Sequence, residues 1–385
     1  MFNPLIDRRK LVTLATVALL AACKVVPAGN VPPPPPPVDQ PNANVLPTDT
    51  QRHRIALLVP LSGPNGAAGQ AIANASTMAL LDTNAQNLRI TTYDTSTGAA
   101  SAAAKAISDG NKLILGPLMS EDIPLVSAAA RAARVPVISY SNDEMRAARD
   151  TLIMGSLPSE SVARTVGYAR SQGISRFGAL IPAGEYGQRS SAALVSAVRA
   201  QGGTLAAMES YDRSPTAIAQ AARRLRDKGG YEAVLIADGG RMSALAAPVL
   251  KAAGNSGVRL LGSELWSGES LVTSSPALAG AWYSAISDSR WRQFTDSYRN
   301  RFGTPPFRIA TLGYDSVLLT LRVAREWRPG TVFPTARLFD PDGFLGLDGA
   351  FRFRSNGAIQ RALEVRQVRA GGVDVVSAAP AKFVN

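Results

Sequence analysis

The sequence predicts an α/β protein of two similarly built lobes, each a doubly wound parallel sheet. Short apolar segments alternate with helical stretches, which is the pattern of right-handed βαβ units. The alternation runs once from Ile55 to Ser139 and begins again after Pro158, ending near Leu261. A chain of 385 residues is long enough for two such domains.

The first series begins with a continuous apolar run, Ile55-Ala56-Leu57-Leu58-Val59, which ends at Pro60. Such a run is typical of a strand that is buried on both faces of a parallel sheet. Helices are then predicted over 67–85, 99–108 and 121–134, and strands over 88–93, 112–115 and 135–139.

The second series follows the same order. Helices are predicted over 160–172, 188–201, 216–228 and 242–253, and strands over 177–181, 204–211, 233–237 and 258–261. A strand over 281–285 and helices over 291–302 and 309–325 come next. In the β-rich tail, apolar and polar residues alternate over 350–354. Residues 363–368 are expected to pair with 374–376 across Gly371-Gly372.

Residues 1–22 are typical of an export signal, because Arg8, Arg9 and Lys10 precede a short apolar run. The following Leu20-Ala21-Ala22-Cys23 resembles the lipobox of bacterial lipoproteins, in which the cysteine thiol carries a diacylglycerol. Cys23 is the only cysteine, so it has no disulfide partner within the chain, and we predict that it is lipidated. Lys24, where an Asp would favour retention in the inner membrane, resembles outer-membrane sorting. We therefore expect a lipid-anchored outer-membrane protein that faces the periplasm.

Residues 23–52 show no apolar periodicity and contain six consecutive prolines, Pro32 to Pro37. Such a segment cannot bury a core, and its prolines favour extended polyproline II, so we interpret it as a tether between anchor and head. The net charge of +12 suits anionic lipid headgroups or an acidic partner. Nucleic acid is not a predicted partner, because the arginines are dispersed singly and are not interleaved with aromatic residues.

An enzymatic function is not predicted. The chain has one histidine, His53, at the edge of the tether, so no catalytic triad has a base in the head. No zinc-ligand cluster, Walker loop, GxSxG or GxGxxG motif occurs. We therefore expect no catalytic residue, no metal site and no cofactor. Paired carboxylates acting as in a glycosidase are the enzymatic alternative that stays open.

Several motifs in this order resemble the type I periplasmic-binding-protein family, in its leucine/isoleucine/valine-binding branch. The motifs are the 55–63 segment, Leu115-Gly-Pro-Leu118, Pro136-Val-Ile-Ser-Tyr-Ser141, Tyr186-Gly187, Leu312-Gly-Tyr-Asp-Ser316 and Gly346-Leu-Asp-Gly-Ala-Phe-Arg-Phe353. The resemblance implies a two-lobed fold with three interlobe crossings, near Leu157, near Ile286 and around 328–338. Lobe 1 would then comprise 53–157 plus 287–328, and lobe 2 would comprise 158–286 plus 339–385.

The resemblance also implies a ligand site in the loops that follow the strands, where helix N-termini favour anions. The candidate residues are Ser62, Ser120, Ser139, Tyr140, Ser141, Tyr186, Asp238 and Glu264. In the family pattern, Ser120 and the 139–141 stretch would hold a carboxylate, and Asp238 or Glu264 an ammonium. Alternatives stay open: Ser120 as a helix N-cap, Tyr186 as a packing residue, Asp238 as a turn-capping acid and Glu264 as a solvated rim carboxylate.

Within this branch, the layout is similar to that of lipoproteins that activate class A penicillin-binding proteins, although only the tether stands where the enterobacterial activators have a helical-repeat domain. The favoured expectation is therefore a non-enzymatic regulator of a class A penicillin-binding protein in peptidoglycan synthesis. The alternative is the substrate-binding protein of an amino-acid ABC importer of the branched-chain type, with an ABC permease as partner. In either case a small ligand such as an amino acid could occupy the interlobe cleft.

Overall fold

A computed structural model of the chain describes residues 51–252, 254–381 and 383. The predicted signal peptide, Cys23 and nearly all of the predicted tether lie outside the described residues. The strands are β1 His53–Val59, β2 Leu88–Asp94, β3 Leu113–Leu115, β4 Val137–Ser139, β5 Thr151–Ile153, β6 Arg176–Pro182, β7 Thr204–Tyr211, β8 Ala233–Ile236, β9 Arg259–Leu261, β10 Trp282–Ala285, β11 Phe344–Gly346, β12 Gly349–Phe353, β13 Ile359–Arg361, β14 Glu364–Arg369 and β15 Gly372–Ser377.

The α-helices of the described residues alternate with these strands. They are α1 Gly66–Asp82, α2 Ala99–Ser108, α3 Ile123–Ala132, α4 Pro158–Ser171, α5 Glu185–Ala200, α6 Pro215–Lys228, α7 Gly240–Leu250, α8 Ser270–Ser274, α9 Trp291–Phe302 and α10 Thr311–Ala324. None of these helices is long and apolar enough to cross a membrane.

The first sheet has the order β2-β1-β3-β4-β5, with all strands parallel. Successive side chains of a strand point to opposite faces, and β1 is apolar at every position from Ile55 to Val59. Its odd-numbered residues pack in the same core as α1 and α10, whereas Ala56 and Leu58 pack with α2 and α3. The continuous apolar run is therefore explained by burial on both faces, as predicted.

The second sheet has the order β15-β14-β10-β9-β8-β6-β7. From β7 to β10 it repeats the winding of the first sheet, and the antiparallel strands β14 and β15 extend its far edge. Phe177 on β6 packs with α4 and α5, and Leu180 on the same strand packs with α6 on the other face. Two doubly wound sheets of the same order confirm the predicted fold class.

The C-terminal region departs from the predicted lobe boundary. Strands β11, β12 and β13 form a small antiparallel sheet, and its Phe351 and Ile359 lie in the core of the first lobe with Ile138. Residues 344–361 therefore pack with lobe 1, although 339–385 was predicted to lie in lobe 2. The third crossing falls between β13 and β14, at residues 362–363, and not around 328–338. The error arose because the turn signals of the tail do not show which core its apolar residues join.

Candidate functional site

A cavity of about 460 Å³ lies between the two large sheets. In a doubly wound sheet, ligands bind beyond the carboxyl ends of the strands, where the strand order reverses. In the first sheet the strand order reverses between β1 and β3. The loops after these two strands contribute Asn65, Leu118 and Met119 to the cavity wall. The chain after β9 and β10 contributes Glu264 and Ile286 from the second sheet. The volume of the cavity falls within the range of small-molecule pockets, roughly 300–1,000 Å³.

Most of the wall is apolar, with a few charged side chains set into it. The apolar part includes Leu118, Leu157, Ile286, Leu312, Ile359 and Leu363. The charged residues are Glu160, Glu264, Arg308, Asp348 and Arg361. Such a lining suits a ligand with an apolar body and a small number of charged groups.

Three of the predicted site residues line this cavity: Tyr140, Ser141 and Glu264. The hydroxyl of Tyr140 is paired with the hydroxyl of Ser316 at 2.9 Å, so the ring acts mainly as wall. Ser141 Oγ accepts a 3.1 Å hydrogen bond from the backbone N–H of Asp143, which shapes the loop after β4. Glu264 is the charged residue among the three, and it is the one that could form an ion pair with a ligand.

Glu264 lies in a 3₁₀ turn just after β9, and its carboxylate is enclosed although the residue as a whole is only partly buried. Tyr186 Oη donates a 2.9 Å hydrogen bond to Glu264 Oε1. Oε2 has no hydrogen-bond partner among the described residues. Burial raises the pKa of the Glu264 carboxyl from 4.5 to about 7. Glu264 is thus an enclosed acid with one free oxygen, and the rim interpretation is wrong.

Ser120 and Ser139 do not line the cavity, because their hydroxyls have protein partners elsewhere. Ser139 Oγ donates to the carbonyl of Pro117 at 2.8 Å. Ser120 Oγ donates to Asp143 Oδ2 at 2.6 Å. Helix α3 begins two residues later than predicted, with Asp122 at its N-cap, so Ser120 is not the N-cap either.

The remaining predicted residues, Ser62, Tyr186 and Asp238, also lie outside the cavity wall. Ser62 is exposed and pairs with Ser96 at 2.7 Å. Tyr186 stands behind Glu264 and orients it. Asp238 accepts hydrogen bonds from Tyr211 Oη at 2.7 Å and from the backbone N–H of Gly239 at 2.8 Å, as the turn-capping alternative expected. Asp238 is thus satisfied without a ligand.

Two arginines of the cavity wall were not predicted. Arg308 Nη1 donates to Asp348 Oδ1 at 2.7 Å, and its guanidinium lies 4.6 Å from the centre of the Trp291 ring. Arg361 Nη2 donates to the carbonyl of Met154 at 2.9 Å. Arg361 was missed because the tail that carries it was assigned to lobe 2, whereas β13 ends beside the cleft.

Glu160, at the start of α4, is the other acid that sequence reasoning missed. Its carboxylate pairs with Arg354 in a short ion pair. Burial raises the pKa of Glu160, and the charge of Arg354 opposes that rise. A sequence signal was available, since Glu160 stands in the first turn of a helix that begins at the first predicted crossing.

The two lobes are also joined beside the cavity. Arg189 on α5 of the second lobe donates from Nη2 to Asn142 Oδ1 of the first lobe at 3.3 Å. Its Nη1 lies 3.7 Å from Asp143 Oδ2. Because Asn142 is part of the wall, this contact holds the lobes together next to the space that a ligand would fill.

Two doubly wound lobes with a cavity at their facing strand ends define a class of two-lobed proteins that hold a ligand in a cleft. The sequence profile of the family described as "Periplasmic binding protein" matches residues 53–373. The chain therefore belongs to the periplasmic-binding-protein family.

Several known proteins are similar to this chain in sequence or in structure. An uncharacterized protein of Rickettsia prowazekii (strain Madrid E) is 29% identical over 173 residues, 44% of this chain, and the chain spans about half the length of that relative, 46%. A Rhodospirillum rubrum protein provisionally assigned as a branched-chain amino acid ABC transporter has a TM-score of 0.75 at 20% identity, over 84% of this chain and 100% of that chain. The C-domain of LpoA from Haemophilus influenzae, a regulator of PBP1A, has a TM-score of 0.66 at 18% identity, over 84% and 99%. The structural likenesses show the fold.

Proposed function

We propose that this chain is a non-enzymatic envelope protein that binds a small solute in the cavity between its lobes. The observation that carries the proposal is the carboxylate of Glu264, which belongs to the wall of a largely apolar cavity of about 460 Å³ and whose Oε2 is buried without a hydrogen-bond partner among the described residues. Burying a carboxylate without a partner is unfavourable, and a positively charged or hydrogen-bond-donating ligand would compensate that cost.

An amino acid with an apolar side chain fits this cavity well. Its ammonium would meet Glu264, and its side chain would contact apolar residues such as Leu118 and Leu363. Binding would then resemble that of amino-acid importers, with an ABC permease as the partner that receives the solute. A solute site of this kind supports the import role, which was the alternative expectation from the sequence.

Catalysis is not part of the proposal, because no imidazole or thiol lines the cavity in the described part of the chain. His53, the only histidine, stacks on Trp327 at 4.0 Å between ring centres. Burial lowers the pKa of His53, so it stays neutral near pH 7. This histidine therefore acts as a packing residue.

A thermal-shift screen of the full-length protein against the natural amino acids tests the proposal. A ligand that binds the folded state raises its stability by mass action, by about 2.7 kcal/mol at 100 times Kd. We expect a clear rise with at least one apolar amino acid, and a loss of that rise in Glu264→Gln. Glu121→Gln, which removes an exposed carboxylate, is the matched control. If none of the natural amino acids raised the melting temperature of the wild type, solute binding of this kind would be contradicted.

A second candidate function is regulation of a class A penicillin-binding protein from the outer membrane. The lipobox-like segment that ends at Cys23 and the prolines Pro32 to Pro37 favour it, since they fit a lipid-anchored, tethered head that faces the periplasm. Capture of such a synthase by the full-length protein, with a rise in its glycan-polymerisation or cross-linking rate, would support it. Loss of acylation and of outer-membrane fractionation in Cys23→Ser would support the proposed anchor.

A further inference from the structure

Arg361 has two guanidinium nitrogens without a partner. The residue ends β13, lines the cavity and is 5% exposed. Nη2 donates to the carbonyl of Met154 at 2.9 Å, but Nε and Nη1 have no hydrogen-bond partner among the described residues. An arginine side chain cannot give up its proton to avoid this situation, so the buried positive charge needs an acceptor.

The nearby acids are already occupied. Asp348 binds Arg308 Nη1 at 2.7 Å and Thr311 Oγ1 at 2.8 Å. Asp315 accepts a 2.6 Å hydrogen bond from the backbone N–H of Leu347. Burial and the charge of Asp348 raise the pKa of Asp315, which weakens it as a counter-ion.

Two charged residues of the cavity wall, Glu264 and Arg361, have no ion-pair partner among the described residues. Arg308 is balanced by Asp348, and Arg354 is balanced by Glu160. The charges of Asp348 and Asp315 act on Arg361, but neither acid accepts a hydrogen bond from its Nε or Nη1. A carboxylate matches the unpaired N–H groups of Arg361, because hydrogen bonds between a guanidinium and a carboxylate are charge-assisted.

We propose that Arg361 binds the carboxylate of a solute whose body is largely apolar. This inference rests on the proposed function and names the anion subsite of the same cavity. Ile359 and Leu363, two residues before and after Arg361, also line the cavity and would contact the carbon skeleton beside the carboxylate. The anion subsite thus comes from the strand at the third crossing, and not from the serines of the loops after β3 and β4.

The test compares carboxylates with their uncharged amides. The full-length protein is titrated calorimetrically with L-isoleucine and with benzoate, and in parallel with L-isoleucinamide and benzamide. We expect at least one carboxylate to bind, with its amide weaker by roughly thirtyfold or more, because the amide leaves the buried guanidinium unpaired. Benzoate has no ammonium that could bind Glu264, so its binding tests the Arg361 subsite alone.

Variants of Arg361 separate ligand binding from a structural role. Arg361→Met should remove the preference for the carboxylate over the amide, and Arg361→Lys should restore part of it. Arg369→Met is the control, since Arg369 is exposed and forms an ion pair with Asp374 on the neighbouring strand, away from the cavity wall. If Arg361→Met does not fold, Arg361→Lys and the amide comparison on the wild type still decide the matter.

Two results would overturn the inference. Equal affinity of the wild type for a carboxylate and its amide, or undiminished carboxylate binding by Arg361→Met, would make Arg361 a structural residue while leaving the proposed function intact. No binding of either carboxylate by the wild type would contradict the inference, and a negative screen with all natural amino acids would contradict the proposed function as well.

Discussion

Asp315 on α10 accepts a 2.6 Å hydrogen bond from the backbone N–H of Leu347, in the turn between β11 and β12. Its second oxygen accepts a 3.3 Å hydrogen bond from the backbone N–H of Asp348. Asp348 in turn binds Arg308, which lines the cavity. A buried side chain of the first lobe thus fixes the turn that positions one charged wall of the site.

We predict that Asp315→Ala destabilises the protein by about 2 to 5 kcal/mol. The change leaves two backbone N–H groups without an acceptor, and each unsatisfied buried group costs about 1–3 kcal/mol. Asp315→Asn should cost less, because its amide oxygen still accepts one hydrogen bond and the repulsion of Asp348 disappears. Urea unfolding measures both, with the exposed Asp374→Ala as control. Equal stability of the alanine and asparagine variants would contradict this role.

Gly313 and Gly346 are expected to be required because their surroundings leave no room for a side chain. A Cβ at Gly313 would lie 2.3 Å from the carbonyl oxygen of Ile72, and one at Gly346 would lie 2.4 Å from the carboxylate of Asp315. We predict that Gly313→Ala costs about 1–3 kcal/mol or more in the free energy of unfolding. Gly257→Ala is the control, since nothing lies within 4 Å of a Cβ there. A Gly313→Ala variant as stable as the control would show that α1 and α10 are not packed this closely.

The stability of the ligand-free protein should fall as pH rises from about 4.5 to 7. In the folded state burial raises the pKa of Glu264 from 4.5 to about 7, so across this window the unfolded chain loses a proton that the folded protein keeps. The loss is on the order of 3 kcal/mol, at 1.36 kcal/mol per pKa unit. Asp315, whose pKa burial also raises, contributes in the same direction.

Thermal melts from pH 4.5 to 8 in wild type and Glu264→Gln measure this dependence. The glutamine variant should show a smaller decline, since the contributions of Asp315, Glu160 and Asp122, whose pKa values burial also raises, remain. Binding of an ammonium-bearing ligand should lower the pKa of Glu264 and release a proton near pH 7, which calorimetry in buffers of different ionisation enthalpy detects. Identical pH profiles of the two proteins would contradict the enclosed state of this carboxylate.

The contact between Arg189 and the 142–143 loop should favour the closed arrangement of the lobes. Arg189→Ala removes the 3.3 Å hydrogen bond to Asn142 and the 3.7 Å ion pair with Asp143. We predict a larger radius of gyration in small-angle X-ray scattering and a several-fold weaker affinity for any cleft ligand, because part of the closing energy is lost. Glu185→Ala, which removes only the exposed partner of Arg189 on the same helix, is the control. An unchanged scattering curve for Arg189→Ala would show that the contact does not hold the lobes together.

Much of the fold follows from local patterns in the sequence. The apolar run 55–59 and the helix at 99–108 lie where predicted, because burial on both faces and the spacing of alanines are local signals. The antiparallel pairing of β14 with β15 across Gly371 likewise follows from a turn signal. Helix α3 is shorter at both ends than predicted, since Pro124 suits a first turn and Arg134 has a φ of 56°, outside the helical region.

The third crossing and the anion side of the site could not be predicted in this way. Phe351 and Ile359 are equally apolar whichever core they join, so the packing of β11–β13 on lobe 1 depends on contacts between residues far apart in the chain. Arg361 lines the cavity because it lies at the end of β13 in that sheet. Glu264 could be predicted because its loop follows a recognisable strand, whereas Ser120 and Ser139 could not be excluded, because their partners are set by tertiary packing.

Native mass spectrometry of the protein, purified from the envelope under mild conditions, would detect a solute held between the lobes. We predict a bound small molecule of one defined mass that is lost on denaturation. Wild type and Arg369→Met should carry it, and Glu264→Gln and Arg361→Met should carry less of it or none. A wild-type protein without any such adduct, which also fails to acquire one from amino acids or small carboxylates, would contradict the proposed solute binding.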